Sequence, residues 1–159
     1  DAHFDLRAIE TLPNSGTPFY QILTENKTTN YFAIGIQQQS NSKELFEIAK
    51  KNDVSYVSNL DCETFSKVLK NKLAAFVKKA DYLYITIDLD GFSSAFAPGV
   101  SAPSPLGFNP NFVYQVLKFL FKSKKVISCD IAELNPDYDI DDSTAKLGAR
   151  LLDYIVQNT

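Results

Sequence analysis

The chain has 159 residues, of which 45% are hydrophobic and 22% charged, a composition typical of one globular domain with a core of ordinary size. The formal net charge is −3 and the lysines are dispersed in pairs, which argues against a nucleic-acid-binding protein. No apolar run approaches the roughly 20 residues of a membrane span. The composition therefore favours a cytoplasmic protein with neither a membrane nor a nucleic acid as partner.

The predicted elements alternate between helices and strands along the chain. A Pro- and Gly-containing turn at 13–18 leads into a short helix at 19–24. Further on, strands are predicted at 31–36, 54–57, 82–87 and 125–131, and helices at 42–51, from 61 onward, at 109–122 and at 143–156 after a Ser143 cap. The 82–87 strand is apolar enough to be covered on both faces. Strand and helix in alternation predict an α/β fold with right-handed crossovers and a parallel sheet.

Two aspartates follow the strand predicted at 82–87. Asp88 and Asp90 lie two residues apart, so in an extended backbone their side chains point to the same side. Two carboxylates that close repel each other unless a cation lies between them. The rigid segment 91–105 that follows suits a loop at the carboxyl end of a strand, where α/β proteins bind ligands. The alternative is that Asp88 caps the loop and Asp90 is solvated.

A second acidic motif opens the chain. Asp1, His3 and Asp5 alternate with apolar residues, so extended geometry places two carboxylates and the single imidazole of the chain along one side. The alternative is a frayed polar terminus. Carboxylates with an imidazole suit manganese or a similar divalent ion, whereas a zinc site is richer in thiolates. Cys62 and Cys129 lack the CxxC spacing of a zinc site, and we expect both to be core or surface residues.

The acidic motifs occupy equivalent places in the predicted topology. Asp88, Asp90 and Glu133 each follow a strand. The Ser15–Gly16 turn precedes a helix, and together with the Asp1 motif these residues are expected at the carboxyl edge of one sheet. The two aspartates after the 82–87 strand and the three ligands of the Asp1 motif make five possible ligands. One ion that keeps a position for water needs fewer. The number predicts two metal ions, roughly 3.5–4 Å apart, in an arrangement that activates water for hydrolysis.

Three ordered motifs carry a resemblance to a known family. They read D-A-H-F-D at 1–5, D-L-D followed by A-P-G at 88–99, and E-L-N-P with an acidic stretch and T-A at 133–145. With these motifs the chain resembles the arginase/agmatinase (ureohydrolase) family over nearly its whole length. The resemblance implies a three-layer αβα fold with a mainly parallel sheet, hydrolysis of a linear amidine C–N bond, and two Mn²⁺ ions per complete site.

The resemblance also implies roles for individual residues. Asp1 and Asp88 would be shared between the two ions, and Glu133 would face the amidine group of the substrate. Asp90 would also transfer a proton to the leaving amine. The implied manganese ligands within residues 1–159 are Asp1, His3, Asp5, Asp88 and Asp90.

Two departures from the family pattern narrow the expected substrate. Ser15 replaces the histidine that arginases carry before a glycine, here Gly16, and Arg7 stands where arginases have a neutral amide. The segments H-x-D-x-R and S-G-T-P-F resemble those of members that hydrolyse N-formimidoyl-L-glutamate. An arginine fork can bind a substrate carboxylate and would repel the cationic amine of agmatine. The alternatives are a surface role for Arg7, another amidinohydrolase specificity, and a non-catalytic chain with the same fold.

The family pattern extends upstream of residue 1, where members carry a further metal-binding histidine. We therefore expect residues 1–159 to be the carboxyl-terminal part of a single ureohydrolase domain. Its expected partners are the amino-terminal half, the small-molecule substrate and, as a further candidate, a second copy of the chain. By itself the chain is expected to be inactive, to bind manganese weakly and to fray at the Asp1 motif.

Overall fold

The computed structural model of the protein describes residues 1–9 and 12–159. Within that part of the chain, five helices and four strands alternate, with short 3₁₀ turns between them. The helices are α1 (Pro18–Glu25), α2 (Lys43–Lys51), α3 (Lys67–Lys79), α4 (Pro110–Phe121) and α5 (Ser143–Asn158). The strands are β1 (Phe32–Ile36), β2 (Ser55–Ser58), β3 (Leu83–Asp88) and β4 (Val126–Ala132). The predicted alternation of helices and strands is confirmed.

The four strands form two parallel pairs, β1 with β2 and β3 with β4. The opening segment connects the pairs at their carboxyl ends. Asp1 N donates to the Ile34 carbonyl at 3.1 Å, and Gln37 N donates to the Ala2 carbonyl at 3.0 Å. Ala2 N in turn donates to Asp90 Oδ1 at 3.3 Å. The mainly parallel pairing is confirmed, and residues 1–2 join the two pairs in place of a direct ladder between them.

Helices cover the β1–β2 pair on both faces. Phe32 and Ile34 pack against a core shared with α3, α4 and α5, whereas Ala33 belongs to a second core with α1 and α2. Phe4 and Leu6 are fully buried in the second core. These layers give the αβα arrangement that the resemblance implies. Because the opening segment is packed into this core, the expectation that it frays is not borne out.

The β3–β4 pair has one buried and one exposed face. Leu83 and Ile87 are buried in the first core, whereas Tyr84 is 52% exposed on the other face. The prediction that this strand is covered on both faces is therefore wrong for its first half. Tyr84 donates a hydrogen bond to Asp130 of β4, and Thr86 Oγ1 donates to the same carboxylate at 2.7 Å. Cross-strand pairing thus accounts for these β-forming residues without burial.

Side-chain caps place two helix starts differently from the sequence prediction. Helix α3 begins at Lys67 and not near Asp61, because Ser66 Oγ accepts a hydrogen bond of 3.2 Å from an amide of the first turn. Helix α5 does not use Ser143 as its cap. Its first amides donate to the Asp139 carboxylate at 3.0 Å, and Asp139 lies four residues before the helix begins. A carboxylate at this position also suits the positive end of the helix dipole.

Neither cysteine forms a disulfide. Cys62 is buried and Cys129 is half-buried, and both contact the first core, as predicted. Burial raises the pKa of the Cys62 thiol to about 12, so this sulfur stays protonated near neutral pH. Among the described residues, no helix combines the length and the apolar character needed to cross a membrane.

Candidate metal centre

The predicted metal ligands converge at the carboxyl ends of the strands. Asp88 is the last residue of β3, and Asp90 lies in the 3₁₀ turn that follows. Ligand atoms of Asp1, His3 and Asp90 lie within 4.8 Å of one another. Ligand atoms of Asp1, Asp5 and Asp88 lie within the same distance of one another. The structure therefore brings all the predicted ligands together, and Asp1 belongs to both groups.

Alternating burial orients the predicted ligands of the opening segment. Ala2 and Phe4 are buried, which leaves the intervening polar side chains on the opposite side. Buried Asn41 holds this geometry, since its Oδ1 accepts from Phe4 N at 3.0 Å and its Nδ2 donates to the Ala2 carbonyl at 2.9 Å. The extended run ends at Asp5, whose φ is +51°. Asn41 is a positioning residue that the sequence prediction missed, because no local pattern connects it with residues 2–4.

The imidazole is paired with a carboxylate. His3 Nδ1 lies 3.0 Å from Asp90 Oδ2 and 3.5 Å from Asp1 Oδ1. The hydrogen bond to Asp90 raises the pKa of His3, although burial opposes the change. Burial alone would raise the pKa of Asp90, but the hydrogen bond and charge of His3 lower it. A cation bound by these groups would replace the proton on His3, because a metal-bound imidazole is neutral.

The second group consists of crowded acids. Burial raises the pKa of Asp88 to about 7, and the nearby charge of Asp90 acts in the same direction. Burial also raises the pKa of Asp5 to about 6. Carboxyl groups that retain protons near neutral pH lack sufficient positive charge around them. A divalent cation would supply that charge and prefers oxygen ligands, so the donor set fits metal ions of this class.

Glu133 occupies the predicted position at the end of β4. It follows the last strand residue directly and has a φ of +68°, which is uncommon for a residue other than glycine. Burial is the main cause of the raised pKa of Asp5, and the charge of Glu133 adds to it, so the two side chains share one electrostatic environment. Ser101 Oγ donates a hydrogen bond of 2.9 Å to Glu133 Oε2. The sequence prediction placed Glu133 at this edge but did not find Ser101.

The predicted substrate-binding residues of the opening region form a separate cluster. Arg7 N donates to the Gly16 carbonyl at 2.9 Å. A Cβ on Gly16 would lie 3.1 Å from Arg7 Cδ and 3.2 Å from Arg7 Nε, so the arginine side chain lies against the glycine. Ser15 is exposed in the same turn. The structure thus brings Ser15 and Gly16 next to Arg7, which lies two residues beyond the predicted ligand Asp5.

Comparison with known proteins identifies the family. A model of the Arginase family matches residues 1–157. The chain belongs to the arginase family. A formimidoylglutamase of Staphylococcus aureus (strain JH9) is 44% identical over 158 residues, which are 99% of this chain and 50% of the relative. A formimidoylglutamase of Staphylococcus haemolyticus (strain JCSC1435) is 41% identical over 157 residues, 98% of this chain and 50% of the relative. The chain thus spans about half the length of these arginase-family relatives.

Solved arginase-family structures have the same fold. The formimidoylglutamase of Bacillus subtilis subsp. subtilis str. 168 matches with a TM-score of 0.91 and 27% identity over 99% of this chain and 51% of that one. The agmatine ureohydrolase of Thermoplasma volcanium matches with a TM-score of 0.82 and 30% identity over 99% of this chain and 52% of that one. The predicted family and its αβα fold are confirmed. The roles of the individual site residues remain predictions.

Proposed function

We propose that this chain contributes the metal centre of a hydrolase that cleaves N-formimidoyl-L-glutamate to L-glutamate and formamide. The proposal rests on the convergence of two ligand groups around Asp1. The name formimidoylglutamase, carried by relatives that are 41% and 44% identical over nearly the whole chain, supports the choice of substrate. We place this reaction in histidine degradation and in the cytoplasm.

Two Mn²⁺ ions are the proposed cofactors. Asp1, His3 and Asp90 would hold one ion, and Asp1, Asp5 and Asp88 would hold the other. An oxygen-rich set with one imidazole suits Mn²⁺ better than it suits thiolate-preferring metals. When bound, a metal pair lowers the pKa of water and so supplies a nucleophile at neutral pH. The family resemblance adds that Asp88 is shared by both ions.

Side chains of this chain bind the substrate and transfer the proton. Glu133 accepts hydrogen bonds from the formimidoyl nitrogens and keeps them as the carbon becomes tetrahedral. Asp90, already hydrogen-bonded to His3, accepts the proton that the attacking oxygen loses and passes it to the nitrogen of glutamate as the C–N bond breaks. Arg7, lying against Gly16, binds a carboxylate of the substrate. The role of Glu133 requires an amidine group in the substrate, and the role of Arg7 requires a carboxylate.

Agmatine hydrolysis is a second candidate function, because the agmatine ureohydrolase structure is 30% identical to this chain. Arg7 distinguishes the two substrates. Its cationic side chain attracts the carboxylates of formimidoylglutamate and repels the free amine of agmatine. We therefore rank the formimidoyl substrate first.

The decisive experiment measures turnover in a two-part assembly. Because the chain spans about half of its relatives, it is co-expressed and purified with the amino-terminal half of the Staphylococcus aureus formimidoylglutamase. In manganese we expect formamide and glutamate from N-formimidoyl-L-glutamate and no urea from arginine or agmatine. The same assembly with Asp88→Asn is the control and should be inactive. Faster urea release than formamide release would overturn the substrate assignment, and metal binding without turnover of any of the three compounds would favour a non-catalytic role.

A further inference from the structure

The Glu133 carboxylate, proposed to contact the amidine, already accepts a hydrogen bond on one of its oxygens. Ser101 Oγ donates a hydrogen bond of 2.9 Å to Glu133 Oε2 from a different loop. Glu133 is also held at a φ of +68°, a conformation that persists in a non-glycine residue only with support from its surroundings. A glutamate side chain that made no such contact would rotate among several conformers. The Ser101 hydroxyl therefore restricts where the remaining lone pairs of the carboxylate point.

The loop that carries Ser101 is anchored to the segment that carries this glutamate. Gly99 N donates to Thr144 Oγ1 at 2.7 Å, and the Gly99 carbonyl accepts from Asn135 N at 2.8 Å. Thr144 is completely buried, so the anchor lies inside the protein. A Cβ on Gly99 would lie 2.6 Å from Asp139 Cβ, so this close approach requires glycine. Ser101 thus reaches the carboxylate from a fixed base.

We propose that Ser101 is a positioning residue that sets the plane of the Glu133 carboxylate for the formimidoyl group. The inference rests on the proposed function and adds a specific determinant of amidine recognition. An amidine presents parallel N–H donors in one plane, and a carboxylate meets them well only when it is coplanar with them. By holding Oε2, the hydroxyl of Ser101 fixes that plane before the substrate arrives, which lowers the ordering cost of binding.

The first test does not depend on activity. Crystal structures of the chain and of its Ser101→Ala and Ser101→Thr variants would show the Glu133 carboxylate directly. We expect one position, within hydrogen-bond distance of the hydroxyl, in the unmodified and threonine forms, and a displaced or multiply positioned carboxylate in the alanine form. A carboxylate that keeps its position in Ser101→Ala would overturn the proposal, whatever the substrate of the enzyme proves to be.

The second test is a double-mutant cycle in the two-part assembly. Loss of a hydrogen bond to a charged group predicts that Ser101→Ala lowers kcat about tenfold, with a smaller change in KM. In a Glu133→Ala background the same substitution should change kcat less than about twofold, since no carboxylate remains to be positioned. Equal losses in both backgrounds would indicate a general structural role and refute the proposal. If the assembly prefers another amidine, the cycle is run on that compound.

Discussion

Removing one carboxylate from the candidate metal centre should stabilise the metal-free protein. Asp88 is 8% exposed. Its burial, and to a lesser extent the charge of Asp90, raise the pKa of Asp88 from the ordinary 3.8 to about 7. That difference corresponds to roughly 4 kcal/mol, at about 1.4 kcal/mol per pH unit, as an upper limit. Local relaxation and water entry reduce the expected gain for Asp88→Asn to about 1–3 kcal/mol. The asparagine carbonyl can still accept the 2.9 Å hydrogen bond that Asp90 N donates.

The pH dependence follows from the direction of the same pKa changes. Because the pKa of Asp88 is raised in the folded state, the unfolded chain loses this proton first, and stability falls as pH rises from about 4 to about 7. Asp5, with a pKa of about 6, contributes in the same direction. The pKa of His3 is also raised, so its contribution is lost as pH rises through the folded value. These three groups lower the stability of the metal-free chain between about pH 5 and about pH 8, whereas the buried Asp1 amino group, whose pKa burial lowers, acts in the opposite direction. Comparing Asp88→Asn with the unmodified chain at each pH therefore isolates the contribution of this carboxylate.

Thermal unfolding followed by circular dichroism in a chelator tests this reasoning. At about pH 8, Asp88→Asn should raise Tm by about 2–4 °C per kcal/mol gained. At about pH 5, only about one pH unit above the ordinary pKa of 3.8, it should raise Tm less than half as much. Asp81→Asn, at an exposed position, is the matched control and should leave Tm unchanged. Added manganese should raise the Tm of the unmodified chain more than that of Asp88→Asn. A lower Tm for Asp88→Asn in chelator at about pH 8 would refute the electrostatic explanation.

Substitutions at three further positions test the predicted substrate cluster and the anchored loop. In the two-part assembly, Arg7→Ala should raise KM by the equivalent of about 1.5–3 kcal/mol with kcat unchanged; a lower kcat at unchanged KM would place Arg7 in the chemistry. Gly16→Ala displaces the arginine side chain and should raise KM less than Arg7→Ala, with no added effect in the double variant. Thr144→Val leaves Gly99 N without its acceptor and should lower the free energy of unfolding in urea by about 1–3 kcal/mol. Thr144→Ser keeps the hydroxyl and loses only one buried methyl group, so it should lower this free energy less; equal stability of both variants would contradict this role.

Local periodicity predicted the parts of the candidate site whose residues lie close together in the sequence. The alternation of Asp1, His3 and Asp5 with apolar neighbours predicted which side chains converge in the two groups of possible metal ligands. Burial of Phe4 enforces this two-residue period. The position of Asp88 was predictable for a similar reason. An apolar strand followed by paired aspartates marks the carboxyl end of a strand in a parallel arrangement.

Contacts between distant residues were not predictable in this way. Asn41 binds the backbone of residues 2 and 4, and Ser101 binds a carboxylate 32 residues away, so neither has a local sequence signal. Asp139 takes the capping role expected of Ser143, because the turn before α5 brings its carboxylate over the first amides. The exposed face at Tyr84 was mistaken for a buried one, since a tyrosine pairing across a strand and a tyrosine in a core have the same β propensity.

Hydrolysis of the proposed substrate can be followed directly with N-formimidoyl-L-glutamate carrying ¹³C at the formimidoyl carbon. The two-part assembly is incubated in manganese with equal concentrations of the labelled compound, arginine and agmatine, and the products are identified by NMR. We predict ¹³C-labelled formamide and an equal amount of unlabelled glutamate, and no urea. Two results would contradict the proposed reaction: urea as the main product, or manganese bound by the two ligand groups that share Asp1 without any labelled formamide.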